Sequence, residues 1–355
     1  MLTNEQPIRV GLIGYGYAGK TFHAPLIRSV PGLILTHVSS NQRERVMADL
    51  PMVTVCSEGL EVAAHRDVDL VVVASPNSSH YDLAAAALNA GKDVVVDKPF
   101  TVTLSESLSL AALAERRGKL LAVFHNRRWE SESLAAKAMV ESGELGEISH
   151  FETHIDRFRP NVRRRWREDA GPGAGLWFDL GPHLIDQALG LFGFPGSVNA
   201  NLAVQRSGGQ TDDWAHVQLN YERVRVVLHV SLLASGGVPR SVLHGTRASW
   251  VKYGADVQER QLMAGMGPES IGFGVDPDPG ILIDGATGLR TEVPAPIGDQ
   301  SLFYSAVRDA LLGKGPNPVP PSEAVGVMTV LERSLESAAR GQTLALSLAQ
   351  QDLGL

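Results

Sequence analysis

The chain has few of the features that mark secreted, membrane or nucleic-acid-binding proteins. Its 355 residues include one cysteine, Cys56, which excludes an internal disulfide and a cysteine-rich zinc site. No apolar run reaches the roughly 18 residues of a membrane span, and the N-terminus lacks a basic and then apolar signal segment. The formal net charge of −7 offers no basic surface to nucleic acid. We therefore expect a cytoplasmic protein with no membrane partner, no nucleic-acid partner and no metal site.

A glycine-rich loop follows the first apolar run. Residues 8–13 are typical of a buried strand, and Gly14-Tyr15-Gly16-Tyr17-Ala18-Gly19 separates them from a helical segment. In a dinucleotide site the first glycine allows a tight turn, the second lets the backbone approach the pyrophosphate, and the third lets helix pack on strand. The helix N-terminus adds unpaired N–H groups and a positive dipole end. This context predicts a nicotinamide cofactor bound at residues 14–19.

The end of the second predicted strand bears on which cofactor binds. Ser39 and Ser40 follow residues 33–38, where NAD sites place an acidic residue for the ribose 2′-hydroxyl. Two hydroxyls, with Arg43 and Arg45 close behind, suit a 2′-phosphate instead. We predict a preference for NADP, with NAD possible. The alternative is that both arginines are ordinary solvated helix residues.

Apolar strands and helical segments alternate up to about residue 124, which predicts a doubly wound parallel sheet of the Rossmann type. Ligands of such sheets lie beyond the carboxyl ends of the strands. Two polar segments fall there, after the strands at 69–74 and 94–96. Together with the turn that follows the sheet, they supply the further cofactor candidates Ser75, Pro76, Asn77, His80, Asp97, Lys98 and Asn126.

A later amphipathic helix carries three titratable residues on one face. Asp179, His183 and Asp186 are spaced i, i+4, i+7 in an otherwise apolar segment after a glycine-rich loop. Burying them unpaired would be costly, so they face water, a partner or a cleft. Asp179 and His183 suit proton transfer, whereas Asp186 is expected to be structural. The alternative is a helix whose polar face is simply solvated or capped.

Beyond residue 126 the pattern changes to polar and apolar alternation, which is typical of an antiparallel sheet covered on one face by helices. The strands predicted in this way are 148–155, 198–204, 214–221, 223–232 and 241–253. A surface loop is predicted over 265–298, and closing helices over 299–312 and 322–340. We predict domains at 1–125 and 126–355. The open sheet face is a place for a second subunit to dock.

Three motifs in this order resemble the glucose–fructose oxidoreductase/inositol dehydrogenase (Gfo/Idh/MocA) family: the glycine loop, Asp97-Lys98-Pro99 and Asp179-x-x-x-His183. The resemblance covers nearly the whole chain. It implies catalysis by Lys98, Asp179 and His183, and a homodimer or homotetramer. One departure is Asp97 where the family usually has glutamate, which puts its implied contact with the nicotinamide ribose in doubt. The segments HIDRFRP, RWRE and DLGPHLIDQ are similar to the NADP-dependent scyllo-inositol dehydrogenase branch.

These observations predict an NADP-dependent oxidoreductase acting on a cyclic polyol or sugar. Hydride transfer from an alcohol needs a base for the hydroxyl proton and a cation for the developing oxyanion, roles that suit His183 and Lys98. The substrate-binding candidates are Tyr17, Lys98, Asp156, Arg157, Trp166, Asp179 and His183. The alternatives are an aldose 1-dehydrogenase or keto-sugar reductase, and a non-catalytic nucleotide-sensing regulator.

Overall fold

A computed structural model describes residues 6–348, which form a six-stranded and a nine-stranded sheet. The strands of the first sheet are β1 (Ile8–Ile13), β2 (Leu33–Ser39), β3 (Thr54–Cys56), β4 (Leu70–Val73), β5 (Asp93–Val96) and β6 (Leu121–Val123). The helices between them are α1 (Ala24–Ser29), α2 (Arg43–Asp49), α3 (Gly59–Ala64), α4 (His80–Asn89) and α5 (Leu104–Arg117). A π-helical turn, Gly19–His23, leads into α1.

The first sheet is entirely parallel, in the order β3-β2-β1-β4-β5-β6. Its central strands are apolar because helices cover both faces; all four residues of β4 are fully buried. The strand order reverses between β1 and β4, so the crevice for a ligand opens at their carboxyl ends. The predicted doubly wound fold is confirmed.

The second half contains the larger sheet. Its strands are β7 (Ile148–Asp156), β8 (Ser197–Ala203), β9 (Trp214–Asn220), β10 (Arg225–Ser231), β11 (Ser241–Gly245), β12 (Ala248–Lys252), β13 (Gly280–Asp284), β14 (Arg290–Val293) and β15 (Leu344–Ala345). Its helices are α6 (Ser131–Ser142), α7 (Leu176–Phe192), α8 (Gln258–Met263), α9 (Ser301–Leu311) and α10 (Pro321–Arg340). Only β7 and β10 pair in parallel, so the sheet is largely antiparallel, as predicted.

Helix α7 covers one face of this sheet. Phe151, Thr153 and Ile155 of β7 point towards it and are buried, and the Thr153 hydroxyl donates to Gln187 of α7 at 3.1 Å. The alternate residues of β7 lie on the opposite, open face. Helix α10 packs on α7 and also on α5 and β6, which ties the second half to the first sheet. The proposed division at residues 125 and 126 stays a prediction.

Two sequence predictions in this half were wrong. The single strand at 241–253 is a hairpin: β11 ends at Gly245, residues 246–247 form the turn, and β12 begins at Ala248. A Cβ on Gly245 would overlap the Leu145 carbonyl. The predicted loop at 265–298 contains the hairpin of β13 and β14. Its turn is closed by the Asp284 carboxylate, which accepts from the Thr287 backbone and hydroxyl at 2.7 Å. Within residues 6–348, no helix combines the length and apolarity needed to cross a bilayer.

Candidate active site

The glycine loop has the shape that a dinucleotide needs. Gly14 has a φ of +99°, and a Cβ there would lie 2.5 Å from the Ala74 carbonyl oxygen. A Cβ on Gly19 would overlap the Gly14 carbonyl, so this glycine lets helix pack on strand. A Cβ on Gly16 would meet nothing within 4 Å. The first and third glycines are thus required by the fold, whereas the second faces open space, where a pyrophosphate fits.

The loop residues between the glycines point in different directions. Tyr15 is buried, its hydroxyl donates to Asp49 at 3.3 Å, and burial raises its pKa to about 12. Tyr17 is 54% exposed and donates to Glu259 of α8 at 2.5 Å, so it reaches from the loop to the second half. Ala18 caps the π-helical turn. Tyr17 is therefore exposed to solvent, and Ala18 lies at the N-terminus of the helical turn.

The residues expected to recognise a 2′-phosphate lie at the end of β2 and the start of α2. Ser39 is buried and its carbonyl accepts from Gly14, whereas the Ser40 hydroxyl accepts from the Gln42 backbone at 3.0 Å. Arg43 is exposed and donates to the Val55 carbonyl at 3.0 Å. Arg45, also exposed, donates only to the neutral Gln42 side chain, at 2.9 Å. Both guanidiniums thus lie in solvent beside the strand end.

The segment after β4 contacts both its own sheet and the second half. The Ser75 and Ser79 hydroxyls are 2.7 Å apart, and Pro76 precedes a short 3-10 turn. The Asn77 amide donates to the Gly173 carbonyl at 3.0 Å, across to the loop before α7. His80 is buried with its two ring nitrogens 2.9 and 3.0 Å from the carbonyls of Pro99 and Ser75. His80 therefore links the segments that follow two strands, and its cofactor role stays a prediction.

Asp97 is likewise turned inward. Its Oδ1 accepts from the Lys98 backbone at 2.8 Å, and its Oδ2 faces Nε2 of the buried His23 at 3.8 Å. Burial alone would raise the pKa of Asp97, but His23, Lys98 and His80 outweigh it and lower the pKa to about 2. His23 in turn lies 2.5 Å from the Tyr304 hydroxyl. The carboxylate is held by contacts within the protein, and the implied contact with the nicotinamide ribose stays a prediction.

The start of α7 is fixed by a residue distant in sequence. Asp212 accepts from the Leu176 backbone through its carbonyl at 2.9 Å and from the Trp177 backbone through its carboxylate at 2.6 Å. Gly175 makes this possible, because it has a φ of +99° and a Cβ there would overlap that carboxylate. Pro182 lies inside the helix and has no N–H for the Phe178 carbonyl, which loosens the turn that carries Asp179.

Lys98 joins the two halves of the chain. Its Nζ donates to the main-chain oxygen of Asp179 at 2.6 Å and to Oδ1 of the same residue at 3.1 Å. The carboxylate also faces Nε of Arg167 at 3.4 Å. Burial alone would raise the pKa of Asp179, but the charges of Lys98, Arg167 and Arg157 hold it well below its usual range. Asp179 is thus a carboxylate at neutral pH, and it positions Lys98 at the domain boundary.

His183 lies one turn further along α7 and is buried. Its Nδ1 has no hydrogen-bond partner among residues 6–348. Burial lowers the pKa of His183 well below its ordinary value of 6.5, and the positive charges of Lys98 and Arg127 lower it further. The imidazole is therefore neutral near pH 7, which is the form that accepts a proton. We refer to Lys98, Arg167, Asp179 and His183 as the interdomain cluster.

Asp186, on the next turn, has a different environment. Its two carboxylate oxygens accept from Nε and Nη2 of Arg128 at 2.9 and 2.6 Å. Burial would raise the pKa of Asp186, but the charges of His125 and Arg128 lower it overall. A cavity of about 740 Å³ lies beside it, between α6, α7 and α10; His183 borders this cavity, and Lys98 and Asp179 do not.

A second polar group, which we call the α6 network, consists of Arg127, Glu130, Glu132, Arg240 and Asp256. Glu132 is fully buried and accepts from Nε of Arg240 at 2.6 Å and from the Asp256 backbone at 2.5 Å. Glu130 is also buried and accepts from Arg127 at 2.7 Å. The charges of Arg127 and Arg240 both lower the pKa of His183, so this network acts on the interdomain cluster through its field.

The remaining substrate-binding candidates divide into two groups. Arg157 lies near the cluster, because Asp179, Glu259 and Tyr17 all act on its pKa, which burial lowers. Trp166 is 36% exposed and stacks on the Arg167 guanidinium at 4.5 Å. Asp156, the last residue of β7, lies on the open sheet face beside His154 and His229, with the sheet between it and α7. The structure therefore does not bring Asp156 to the cluster.

Sequence reasoning missed several residues of this region. Arg167 was not singled out from the basic run 163–167, although it contacts Asp179. Glu259 of α8 carries no motif, and only the fold brings it to Tyr17. Asn126, which was predicted, is buried at the start of a 3-10 turn after β6. The glycine loop, the carboxyl ends of the strands and the interdomain cluster together define a nucleotide-dependent oxidoreductase.

Comparison with known proteins agrees with this class. Residues 8–125 match the oxidoreductase family with an NAD-binding Rossmann fold, and residues 133–251 match the GFO/IDH/MocA C-terminal domain. The chain belongs to the Gfo/Idh/MocA family of oxidoreductases.

Individual relatives extend over nearly the whole chain. It is 49% identical to the uncharacterized oxidoreductase YdgJ of Escherichia coli, over 96% of this chain and 99% of that protein. It is 34% identical to scyllo-inositol 2-dehydrogenase (NADP(+)) IolW of Bacillus subtilis, over 96% of each. The crystal structure of a Klebsiella pneumoniae protein assigned to the oxidoreductases is 51% identical and superimposes with a TM-score of 0.92 over 98% of both chains.

Proposed function

We propose that the chain transfers a hydride between NADP and a cyclic polyol or sugar, of the inositol and keto-inositol type. The observation that carries the proposal is the interdomain cluster. A neutral His183, whose Nδ1 has no hydrogen-bond partner among the described residues, lies one helical turn from the ion pair of Lys98 and Asp179. This pair stands at the carboxyl edge of a sheet whose glycine loop leaves room for a dinucleotide.

In this mechanism each residue of the cluster has a distinct task. The nicotinamide, when bound, supplies the hydride acceptor or donor. During oxidation His183 accepts the substrate hydroxyl proton, because its imidazole is neutral and its Nδ1 has no competing partner in the part of the chain that the structure describes. The Lys98 ammonium stabilises the charge that develops on the substrate oxygen. Asp179 positions Lys98 and keeps the local charge balanced, and the reverse reaction returns the proton from His183.

The NADP preference is supported by the end of β2. Ser39 and Ser40 place no carboxylate where one would repel a 2′-phosphate, and Arg43 and Arg45 lie exposed beside them. The similarity to IolW, whose name states NADP, points in the same direction. The inositol-type substrate rests on that same relative and on the polar residues around the cluster.

A panel of inositols, glucosides and aldoses, each offered with NADP and with NAD, tests the proposal by the absorbance of the reduced nicotinamide. We expect an inositol to be turned over, faster with NADP than with NAD, and Lys98→Met to abolish the signal. Turnover confined to aldoses or glucosides would favour the sugar dehydrogenase or reductase alternatives. Tight NADP binding without turnover of any compound would reject the enzyme proposal in favour of a nucleotide-sensing regulator.

We also propose a homodimer or homotetramer that docks through residues 198–253. The open face of the larger sheet supports this, because side chains such as Trp214, Gln218 and Val251 stay only half buried there. Light scattering at micromolar protein is expected to return a multiple of the 38.0 kDa chain mass, and a monomer mass would overturn the assembly.

A further inference from the structure

Strand β7 carries a pattern that the hydride-transfer function does not use. His150, Glu152, His154 and Asp156 alternate with buried residues, so all four side chains lie on the open face of the sheet. Their neighbours form a chain of contacts. His154 Nε2 lies 2.7 Å from Glu152 Oε1, and His154 Nδ1 lies 3.2 Å from Asp156 Oδ2. Imidazoles and carboxylates therefore alternate along the strand.

The neighbouring strands bring two more histidines to the same place. His229 of β10 pairs in register with His154, and His216 of β9 pairs in register with His229. Paired residues on adjacent strands point to the same face. Three imidazoles thus lie side by side across β7, β10 and β9, and the strand register alone produces this arrangement.

Three of these side chains offer donor atoms at metal-ligand separations. One atom each from His154, Asp156 and His229 lie within 4.8 Å of one another. The closest approaches are 3.2 Å between Nδ1 of His154 and Oδ2 of Asp156, and 3.8 Å between Nε2 of His229 and Oδ1 of Asp156. Ligands on a tetrahedral zinc ion stand about 3.4 Å apart, which follows from bonds of about 2.1 Å. The two observed distances lie on either side of this value.

Two further observations favour a metal site over a simple hydrogen-bond network. Oδ1 of Asp156 is buried and has no hydrogen-bond partner among residues 6–348. The outer ring nitrogens of both histidines have acceptors in place: Glu152 for His154 at 2.7 Å, and His216 Nδ1 for His229 Nδ1 at 3.3 Å. Metal-binding histidines generally donate their second N–H to such a group, and a carboxylate is a common choice.

We propose that His154, Asp156 and His229 bind a divalent transition metal of the zinc class on the open sheet face. Two imidazoles and one carboxylate suit zinc and its neighbours, whereas magnesium and calcium prefer oxygen alone. All three ligands come from one chain. The site departs from the expectation of no metal site, which rested on the cysteine count. It is separate from the interdomain cluster, which lies at α7 on the other side of the sheet.

Equilibrium dialysis against zinc(II), followed by metal analysis, tests the site on the full chain after removal of any polyhistidine tag. We expect one zinc per chain. His229→Ala is expected to lose it, and Glu152→Gln to weaken it about 10–100-fold, the usual effect of losing a hydrogen-bonding partner of a ligand. His244→Ala is the matched control, since His244 is exposed on the same face but bonds to Ser249 at 2.7 Å.

A second measurement protects the test against a variant that fails to fold. Cobalt(II) in place of zinc gives visible absorption bands that report its ligands, and Asp156→Asn, which preserves shape, is expected to change or remove them. Circular dichroism checks that each variant is folded. Wild-type protein that takes up no zinc, or equal uptake by wild type, His229→Ala and Asp156→Asn, would overturn the proposal.

Discussion

The interdomain cluster and the α6 network are both charged and largely buried, yet they are built differently. In the α6 network the Glu132 carboxylate is bonded to both the Arg240 side chain and the Asp256 backbone, and its partners are drawn from one half of the chain. In the interdomain cluster Lys98 reaches across from the other half, and Nδ1 of His183 has no hydrogen-bond partner within residues 6–348. The first arrangement pairs the Glu132 charge and stabilises the fold. The second leaves a group available for chemistry.

The largest effect is expected on the free energy of unfolding, when a buried charge loses the partner of its ion pair. Arg240→Met leaves Glu132, which is fully buried, without its ion pair, and such a loss costs about 3–5 kcal/mol. Urea unfolding measures it. The double variant with Glu132→Leu is expected to regain most of this stability, because no lone charge remains. Arg223→Ala, which breaks the exposed pair with Glu147, is the control and should change stability by about 0.5 kcal/mol or less.

In the interdomain cluster the main loss is expected in activity. Lys98→Met, Asp179→Asn and His183→Ala are each expected to slow hydride transfer by about two or more powers of ten. Their combined loss should be far from additive, since they act as one unit. Stopped-flow measurement with a turned-over polyol gives the rate, and Gln187→Ala on the same helix is the control. Near-normal transfer in His183→Ala would place the proton acceptor elsewhere.

The two helix variants also separate chemistry from cofactor binding. Asp179 and His183 lie on α7, whereas the glycine loop and the arginines of α2 lie on the first sheet, so NADP affinity should be little changed in both. A smaller effect is expected from the cofactor residues themselves. Arg45→Ala should weaken NADP binding by about one to a few kcal/mol, the scale of a charge-assisted hydrogen bond, and Arg43→Ala by less.

Arg45 is expected to matter more because it is held only by Gln42, whereas Arg43 already donates to the Val55 backbone. Fluorescence titration with NADP and NAD is the measurement, and Arg116→Ala on α5 is the control. NAD binding should hardly move. Equal losses for the two nucleotides would contradict the assignment of a 2′-phosphate site.

The smallest expected effect is on the pH profile. Burial and nearby positive charges lower the pKa of His183 below 6.5, so the neutral base is already complete at pH 7. Oxidation should therefore be flat above about pH 6.5 and fall only in more acidic solution, as a neutral base with a lowered pKa requires. Rates of hydride transfer between pH 5 and 9 test this. A rise centred above pH 7 would assign the titration to another group or to the coupled cluster.

Local sequence patterns were sufficient to predict the glycine loop and part of the interdomain cluster. The roles of Gly14 and Gly19 follow from a strand, loop and helix in sequence, and Asp179 and His183 share a face because of helical spacing alone. The orientation of the Asp97 side chain could not be predicted, because it depends on His23 in a π-helical turn. His23 in turn contacts Tyr304, which is 281 residues away in the sequence. The position of Asp156 could not be predicted for a related reason. Alternation along β7 places its side chain on one of the two sheet faces, but only the position of α7 shows which face lies towards the interdomain cluster.

The second half was predicted less well because its hairpins carry ambiguous signals. The segment 241–253 was predicted as one strand, although residues 246 and 247 separate β11 from β12. The α6 network was likewise invisible to local reasoning, since Arg240 and Glu132 lie 108 residues apart. Contacts of this kind depend on the tertiary fold, and the spacing of residues in the sequence does not predict them.

The space around Gly16 has a consequence for interpreting the sequences of related chains. Replacing Gly14 or Gly19 would damage the fold, whereas an alanine at Gly16 would meet nothing within 4 Å and needs no unusual φ. Side chains at the positions of Gly14 and Gly19 are therefore excluded whether or not a dinucleotide binds. A relative that keeps both of these glycines but carries a larger residue at the place of Gly16 is expected to keep the fold and to lose the space for the pyrophosphate.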